Sequence, residues 1–345
     1  MIPIQNIYYM LSYAFQVLNE QGYKNIATEQ FNNTGELMAA ILEKGIAIQI
    51  KRGLGKEYIP QTEALSSLRG KIDIAESIKT QSMLRKQLIC TYDEFSVNSI
   101  MNRIIKSTVE LLLRSNISKQ RKKNLRKLMV YFSEVDFIDL YTVNWNVQYN
   151  RNNQTYHMLI SICYLVVKGL LQTQSNGHTE LMDFLDEQRM CRLYEKFILE
   201  YYRKEFKNQF TANASQIPWQ LDNEENSMLP VMQSDIMLQS GEKVLIIDAK
   251  YYEHSTQVQF DKHTLHSGNL YQIFTYVKNK EYELREKDHT VSGMLLYAKT
   301  DEEIYPNNVY QMSGNQITVR TLDLNLPFDE IAGQLNTIAK THFDL

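Results

Sequence analysis

The sequence predicts an α+β protein of two domains, and three features carry this prediction. At 345 residues, the chain has the length of roughly two domains of ~100–200 residues each. Long segments repeat apolar residues at i, i+3, i+4 and i+7, which is typical of amphipathic helices. Shorter segments alternate apolar and polar residues, which indicates strands. With 43% hydrophobic and 22% charged residues, the composition excludes disordered and fibrous classes.

Helical and strand patterns follow one another along the chain. Helices are predicted at residues 7–18, 100–115, 158–173, 192–206 and 265–277. The segment from Leu37 starts as a helix, but Ile46, Ile48 and Ile50 alternate with polar residues and predict a small strand. A similar alternation at Leu68, Ile72 and Ile74 predicts a second one.

A polar stretch at residues 172–180 contains Gly and has no periodicity. Such a stretch is typical of a linker. We therefore predict an N-terminal domain of mixed helices and small strands at residues 1–175 and a second domain at residues 176–345.

Cysteine usage and hydropathy bear on the compartment. Three scattered cysteines, Cys90, Cys163 and Cys191, fit neither a disulfide framework nor a zinc site and favour a reducing compartment. The N-terminal residues lack the pattern of a signal peptide. The longest apolar run, residues 158–167, ends at Lys168, well short of the ~20 residues of a membrane helix. We expect a cytoplasmic protein without membrane association.

Charge is distributed unevenly. Residues 1–180 hold 21 Lys and Arg against 15 Asp and Glu, a balance of +6, which leaves −9 for the rest of a chain of net charge −3. Much of the basic excess lies at residues 114–128, at helical spacing. This run is either a solvated helix face or a surface for a phosphate backbone or an acidic partner. An acidic chain is a poor candidate for holding DNA tightly by itself.

Two apolar strands flank a short polar turn in residues 228–252. A two-residue loop of Gly241 and Glu242 is typical of the hairpin turn that places Gly first. In that register the numbers of facing residues add up to 483, so Asp235 lies opposite Asp248, with Cβ atoms ~4.5–5.5 Å apart.

The predicted hairpin brings charged side chains to one face of the sheet. Lys250 points the same way as Asp248, because strand side chains alternate with a period of two. Two facing carboxylates repel each other, and a cation that neutralises them would be Mg²⁺ in preference to other ions. Lys250 would then orient or help to deprotonate a water beside that ion. Alone, an Asp-x-Lys strand is usually a surface ion pair.

A following helix makes the pattern more specific. Gln272 and Tyr276 lie at i and i+4 and so share one face. Other motifs are weaker: residues 53–57 lack the spacing and the hydroxyl residue of a nucleotide-binding loop, and His263 and His266 have no cysteine partners nearby for zinc.

Several segments resemble known nucleases. "SDIMLQSGEKVLIIDAKYY" resembles the core of the PD-(D/E)xK nuclease superfamily, and "QIFTY" resembles the Gln-x-x-x-Tyr motif of its RecB-like members. Together with "IPIQNIYYMLSYAF", "MNRIIKST" and "LYEKF", these segments are similar to the McrC family, the nuclease subunits of McrBC restriction systems that cut DNA with modified cytosine. One departure is Ser234, which stands where the superfamily motif has proline.

The resemblance implies a fold and a site. The second domain would be a restriction-endonuclease-like core, with a mixed sheet flanked by helices. Asp235, Asp248, Glu195 and Ala249 would ligate one or two Mg²⁺, and Lys250 would assist the attacking water. Gln272 and Tyr276 would support the site or contact double-stranded DNA.

The resemblance also implies a partner, an McrB-like AAA+ hexamer. This hexamer would bind GTP, and the present chain would stimulate its GTP hydrolysis. The N-terminal domain would dock to it, and we favour the region 45–75, where Arg52, Arg69 and Lys71 would reach the motor. The predicted function is therefore the endonuclease subunit of a modification-dependent restriction complex. The alternative is a non-catalytic adaptor that activates an AAA+ motor and keeps the nuclease fold as a scaffold.

Overall fold

The residues of the chain group into two units, and unit 2 is inserted into the sequence of unit 1. A computed structural model describes residues 2–15, 18, 23, 26, 29, 31, 33–149, 153–174, 187–222, 228–252, 257–259, 262–299 and 305–345. Unit 1 consists of Met1–Phe31 and Phe184–Leu345, and unit 2 consists of Asn32–Asp183. The chain passes from unit 2 to unit 1 in a segment outside the described residues.

The N-terminal residues depart from the predicted division, because they pack with the C-terminal part. Helix α1 (Ile4–Ala14) contacts α7 (Glu187–Glu205). The Asn6 amide donates hydrogen bonds to the carbonyl oxygens of Leu324 and Leu326 at 2.7 and 2.8 Å. The ring of Tyr9 stacks on Phe328 at 4.5 Å. These contacts join residues more than 300 positions apart, so local pattern could not predict them.

Unit 2 combines a helical group with a small sheet. Its elements are α2 (Thr34–Arg52), β1 (Glu57–Leu65), β2 (Lys71–Asp73), α3 (Ile74–Lys79), a 3-10 turn (Ser82–Arg85), β3 (Leu88–Ser96), α4 (Ile100–Arg114), α5 (Lys119–Met129), a second 3-10 turn (Val130–Phe132) and α6 (Gln154–Gln174). Helices α2, α4 and α5 are preceded by the N-cap residues Asn33, Ser99 and Ser118, whose side chains accept a hydrogen bond from a backbone N–H of the first turn. These three helices and α6 contact one another around a shared core.

The small sheet corrects part of the strand prediction. The strand predicted at Ile46, Ile48 and Ile50 was wrong, because these residues lie in α2, which runs to Arg52. The strand predicted around Ile72 is present as β2, but Ile74 already begins α3. Strands β1, β3 and β2 form an antiparallel sheet in that order.

The cysteines and the apolar run lie inside the units. Cys90 and Cys163 are buried, Cys191 is half-buried, and all three are free thiols. The run 158–167 forms part of α6. In the part of the chain that the structure describes, each helix is too short or too polar to cross a bilayer.

Unit 1 is built on a mixed sheet. After α7 come β4 (Thr211–Asn213), β5 (Gln216–Ile217), β6 (Met232–Gln233), β7 (Ile236–Ser240), β8 (Lys243–Lys250), β9 (Gln257–Gln259), β10 (Lys262–Thr264), α8 (Ser267–Leu284), β11 (Thr290–Ala298), β12 (Asn308–Met312), β13 (Asn315–Leu322) and α9 (Phe328–Phe343). The order across the main sheet is β12, β13, β11, β8, β7, β4. Strands β8, β11 and β13 are parallel, and the other pairings are antiparallel. This confirms the predicted mixed sheet flanked by helices.

Helix α8 packs on one face of this sheet. Ile273, Tyr276 and Val277 of α8 form a buried cluster with alternate residues of β8, including Val244 and Ile246. Asp248 has the same parity as these residues, so the sheet directs it toward the α8 face. Helix α7 contacts β8, β7 and β4, and α9 contacts β13.

Candidate active site

The hairpin that precedes the site has the predicted register. Ser240 pairs with Lys243 and Ile236 pairs with Ile247, so the numbers of facing residues add up to 483. Gly241 has φ +54°, a conformation that favours glycine at the first turn position. Asp235 comes directly before β7 and thus lies beside Asp248.

Hydrogen bonds fix both the Asp235 side chain and the residue before it. Its Oδ2 accepts a hydrogen bond from the Ala249 N–H at 2.9 Å. The preceding residue, Ser234, is buried, and its N–H and Oγ donate to the Ser215 carbonyl oxygen at 3.0 and 3.1 Å. Proline has no N–H to donate, so Ser234 makes a hydrogen bond that a proline at this position could not make.

Asp248 and Lys250 form a buried ion pair at the end of β8. The Asp248 side chain is 2% exposed and that of Lys250 is 13% exposed. Lys250 Nζ donates to Asp248 Oδ1 at 3.0 Å and lies 2.9 Å from Oδ2. Apart from this ion-pair contact, the buried Oδ2 has no hydrogen-bond partner among the described residues. A buried carboxylate oxygen with so few partners is suited to accept a further cation.

A chain of hydrogen bonds joins this pair to α8. Lys250 Nζ also donates to Gln272 Oε1 at 3.3 Å, and Gln272 Nε2 donates to the Tyr276 hydroxyl at 2.9 Å. Tyr276 is 7% exposed. Both predicted helix residues therefore contact the site, Gln272 directly and Tyr276 through Gln272.

A second network, which the sequence did not predict, fixes α8 to the sheet. Asn269 Nδ2 donates to the Tyr297 hydroxyl at 2.9 Å, and the Tyr252 hydroxyl donates to Asn269 Oδ1 at 3.4 Å. Asn269 lies three residues before Gln272 and thus on the same helix face. That spacing was the available signal, and the tyrosine after the Asp-x-Lys segment was another.

Glu195 lies near the site but is directed to a different partner. Its Oε1 accepts a hydrogen bond from the Cys191 thiol at 3.0 Å, one turn earlier on α7. Burial raises the pKa of Glu195, and the Asp235 carboxylate raises it further. Burial, followed by the hydrogen bond to Glu195, raises the pKa of Cys191 to about 12. Cys191 is thus a further neighbour of the site that the sequence did not predict.

The electrostatics of the cluster show an excess of negative charge. Burial raises the pKa of Asp248 to about 7; Lys250 opposes this effect and Asp235 adds to it. Burial also raises the pKa of Asp235 against the lowering effects of Lys250 and the Ala249 N–H. Although burial favours the neutral amine, the Asp248 carboxylate keeps the pKa of Lys250 above its ordinary value. One lysine therefore faces two or three carboxylates.

The side chains fit a cation that needs few protein ligands. No three His, Cys, Asp or Glu side chains in the described residues stand close enough together to hold a metal. Asp235 and Asp248 are adjacent, however, and Mg²⁺ in proteins is commonly bound by one or two carboxylates and several waters. Glu195 would have to leave Cys191 to join them. Ala249 lies between the acids, and its role as a ligand stays a prediction.

The three N-terminal residues lie in unit 2. Arg52 is exposed at the end of α2. The Arg69 guanidinium lies 4.0 Å from the centre of the Tyr92 ring, on β3. Lys71 is exposed on β2, opposite Thr91 of β3. Arg69 and Lys71 thus belong to the small sheet, whereas Arg52 ends a helix.

Two weaker motifs have other surroundings. In the loop 53–57, the Gly55 N–H donates to the Tyr156 hydroxyl at 2.7 Å, and its carbonyl oxygen accepts from Asn102 at 2.9 Å. The His266 ring packs against Tyr252 at 5.5 Å. The side chain of His263 lies outside the described residues.

Comparison with known proteins decides the family. A family model described as McrBC 5-methylcytosine restriction system component matches residues 5–298. The chain belongs to this McrBC family. This McrBC family chain is also 30% identical over 329 residues to the type IV methyl-directed restriction enzyme EcoKMcrBC of Escherichia coli (strain K12). The match covers 94% of the chain and 93% of that relative.

Two solved structures of Thermococcus gammatolerans proteins are also similar. A half-complex of McrB AAA+ hexamers with bound McrC matches with a TM-score of 0.48 and 18% identity, over 97% of this McrBC family chain and 76% of the other. The McrBC complex of the same organism matches with a TM-score of 0.42 and 21% identity, over 59% of each chain. The family assignment rests on the sequence matches, not on these two.

Proposed function

We propose that this chain is the Mg²⁺-dependent endonuclease subunit of a modification-dependent restriction complex of the PD-(D/E)xK type. The observation that carries the proposal is the convergence of Asp235, Asp248 and Lys250 from two strands of one hairpin. Family membership supports a restriction role. Double-stranded DNA with modified cytosine is the substrate that this role implies.

The residues of the chain perform distinct steps in this proposal. Asp235 and Asp248 would hold the divalent ion, which would supply positive charge to offset the negative charge that develops on the scissile phosphate. Lys250 is an ammonium donor within hydrogen-bond reach of both Asp248 and Gln272, so it orients the attacking water. Gln272 fixes the Lys250 side chain, and Tyr276 fixes Gln272.

Glu195 has a conditional role in this scheme. It is bonded to Cys191 in this arrangement, and it becomes a ligand or a base for the water only after its side chain turns to Asp235. Burial and, after it, the Asp235 carboxylate raise the pKa of Glu195, and a bound cation would offset the repulsion between these two carboxylates.

The proposal is tested by cleavage with matched variants. The chain is combined with its AAA+ partner, Mg²⁺, GTP and methylated DNA, and nicking rates are measured for Asp248→Asn and Lys250→Gln. We expect each rate to fall by about 10²–10³-fold or more, since a preorganised charge at the reacting phosphate is removed. Lys243→Gln is the matched control, because Lys243 lies at the other end of β8 and pairs with Asp344.

The outcomes separate the two candidate functions. If both site variants stimulate the partner but do not cut, the endonuclease role holds. If both site variants cut at the wild-type rate, or if the wild-type complex hydrolyses GTP without cutting DNA, the carboxylate site is not a nuclease site and the adaptor role is favoured.

The proposal includes activation of an AAA+ GTPase of the McrB type, with GTP bound by the partner and not by this chain. Membership of the McrBC restriction system family supports it. In unit 2, Lys71 lies on β2 and Arg69 stacks on Tyr92 of β3. The same sheet carries the exposed aromatic residues Tyr58 and Phe95, and a combination of arginine and aromatic residues is typical of protein interfaces. Arg52 is the third predicted contact.

Stimulated GTP hydrolysis tests this part. Arg52→Ala, Arg69→Ala and Lys71→Ala are compared with Lys79→Ala, an exposed lysine of the same unit that pairs with Glu76. We expect at least one of the three to lower the stimulated rate by about tenfold, a loss of about 1.4 kcal/mol. Unchanged rates in all three variants would show that the activating surface lies at other residues.

A further inference from the structure

Helix α5 presents cations on its solvent face. Seven cations and no carboxylate occur between Glu110 and Glu134, and α5 itself has no acidic residue in its first turn. Five of the cations recur at i, i+3, i+4, i+7 and i+8, so that they share one side of the helix. We call this the α5 basic face: Lys119, Lys122, Lys123, Arg126 and Lys127.

The opposite side of α5 uses its polar groups within unit 2. Arg121 pairs with Glu36 and Glu43 of α2, with N–O distances of 3.4 and 2.9 Å. Asn124 also donates to Glu43, at 2.9 Å, and Leu125 is fully buried. The acids nearest to the helix are thus bonded to its inner side.

The α5 basic face, by contrast, has no carboxylate among the described residues that neutralises it. Lys119, Lys123, Arg126 and Lys127 are exposed and Lys122 is half-buried, and no ion pair joins any of the five to a described residue. Like charges at i, i+3 and i+4 destabilise a helix. A cation in the first turn also opposes the helix dipole. The face therefore carries a local positive field that the fold itself does not use.

Geometry and chemistry favour one kind of occupant. The exposed apolar residues nearest to the face, Val130 and Tyr131, follow α5 at its C-terminal end. Along the helix itself the exposed side presents cations, whereas a protein interface needs buried aromatic or aliphatic anchors. A phosphate backbone needs only cations. From Lys119 to Lys127 the helix rises about 12 Å, the length of about three to four phosphates along one DNA strand.

We propose that the α5 basic face binds the phosphate backbone of double-stranded DNA. The proposal rests on the proposed function in taking DNA as the substrate, but it does not involve the carboxylate site. The whole chain carries a net charge of −3, so the chain as a whole does not attract DNA. Attraction comes from the α5 basic face and acts over about 10 Å, the Debye length at 0.1 M salt. It supplies affinity without sequence preference.

Salt-dependent DNA binding by the full chain tests the proposal. Binding of a fluorescein-labelled 30-base-pair duplex is measured by anisotropy in EDTA from 50 to 200 mM NaCl, so that cleavage does not contribute. The test variant combines Lys119→Gln, Lys123→Gln, Arg126→Gln and Lys127→Gln. The control combines Lys79→Gln, Lys207→Gln, Lys287→Gln and Lys340→Gln, four lysines that are exposed elsewhere. Both variants have the same net charge, and circular dichroism checks that both are folded.

The expected result is specific to the face. The α5 variant binds at least tenfold more weakly at 100 mM NaCl, and the slope of log K against log salt becomes shallower by about 3.6, or about 0.9 for each phosphate contact. The control retains most of the affinity and slope. Equal losses in both variants, wild-type binding by the α5 variant, or no binding by the wild-type chain at 50 mM NaCl would each overturn the proposal.

Copurification with the AAA+ partner tests whether the α5 basic face binds a protein instead of DNA. If the α5 variant binds DNA normally but no longer copurifies with the AAA+ partner, the face binds an acidic protein surface and the DNA proposal is wrong. The wild-type chain keeps its salt-dependent binding in EDTA if the proposal holds, whether or not the carboxylate site cleaves DNA. Failure of the face and failure of the cleavage site are therefore observed separately.

Discussion

The six-stranded sheet of unit 1 and the three-stranded sheet of unit 2 place residues against their usual preference in opposite ways. In unit 1, residues 244–249 of β8 are buried without interruption, and this run includes Asp248. In unit 2, the sheet of β1, β3 and β2 leaves Tyr58 72% and Phe95 55% exposed. Charge in a buried strand and aromatic rings in an exposed sheet are both unfavourable for stability alone. The first points to chemistry inside the unit, and the second points to a partner outside it.

If the two sheets have separate roles, a change in the small sheet should affect partner stimulation and a change in the main sheet should affect cleavage. A substitution at Gly70, beside the small sheet, has the largest expected effect. Gly70 has φ +68°, and a Cβ there would clash with the Thr91 carbonyl oxygen and with Tyr92. We expect Gly70→Ala to disrupt the pairing of β2 with β3 and to lower stimulated GTP hydrolysis at least tenfold. Left-handed backbone alone costs about 1–2 kcal/mol for alanine.

Gly314→Ala is the control for Gly70. Gly314 also has positive φ, at +91°, but a Cβ there would have open space. If both substitutions reduce GTP hydrolysis equally, strain in any turn is responsible and the small sheet has no special role.

In unit 1, Gly293 tests how closely α8 must approach the sheet. A Cβ at Gly293 would lie 2.8 Å from Ile273 and Ile317 and 2.9 Å from Val277. We expect Gly293→Ala to lower the free energy of unfolding by about 1–3 kcal/mol through overpacking and to displace Gln272, which reduces cleavage. Urea denaturation and a nicking assay measure the two effects. Gly268→Ala, at the open start of α8, should leave both near wild type.

Tyr276 tests the end of the hydrogen-bond chain. Tyr276→Phe removes the acceptor of Gln272 Nε2, and a net hydrogen bond contributes about 0.5–1.5 kcal/mol. Cleavage should therefore fall by about 2–10-fold while partner stimulation stays constant. Tyr271→Phe, an exposed tyrosine of the same helix, is the control, and an equal loss there would argue against the positioning role.

The smallest effect concerns stability without metal. The pKa of Asp248 is about 7 and that of Asp235 is raised, both from an ordinary value of 3.8. Between pH 3.8 and about 7 the folded state therefore binds more protons than the unfolded state. The free energy of unfolding thus falls as the pH rises through about 7. Asp235→Asn removes one of these charges. The melting temperature of the variant at pH 8 in EDTA should therefore rise, by about 2–4 °C for each 1 kcal/mol gained in the free energy of unfolding.

Asp323 provides a control of opposite sign. Against partial burial, its hydrogen bond with Lys299 lowers the pKa of Asp323, so Asp323→Asn should lower the melting temperature at pH 8. If Asp235→Asn also lowers it, Asp235 is a stabilising structural acid and the metal-site interpretation weakens.

Much of the site could be predicted because its geometry is local. The turn at Gly241 sets the register of the hairpin, and the period of two then places Asp235, Asp248 and Lys250 on one face. The helical period likewise puts Gln272 and Tyr276 together. The contact of Glu195 with Cys191 was also within reach, since the two lie at i and i+4.

Other features depend on contacts that pattern does not encode. Ile46 and Ile50 fit both a strand and a helix, and the helix prevails because α2 is buried against α5 and α6. The return of α1 to unit 1 depends on Asn6, Tyr9 and partners near the C-terminus. The activating residues of unit 2 stay predictions, since an exposed sheet does not reveal its partner.

The central claim is that Asp235 and Asp248 together hold a divalent ion, and Mn²⁺ shows this directly. Crystals of the full chain soaked in Mn²⁺ are measured for anomalous scattering, with Asp235→Asn/Asp248→Asn crystals as the control. The account predicts an anomalous peak between the two carboxylates, which is absent from the double variant. A site without a peak in the wild type, or a peak that persists in the variant, would contradict it.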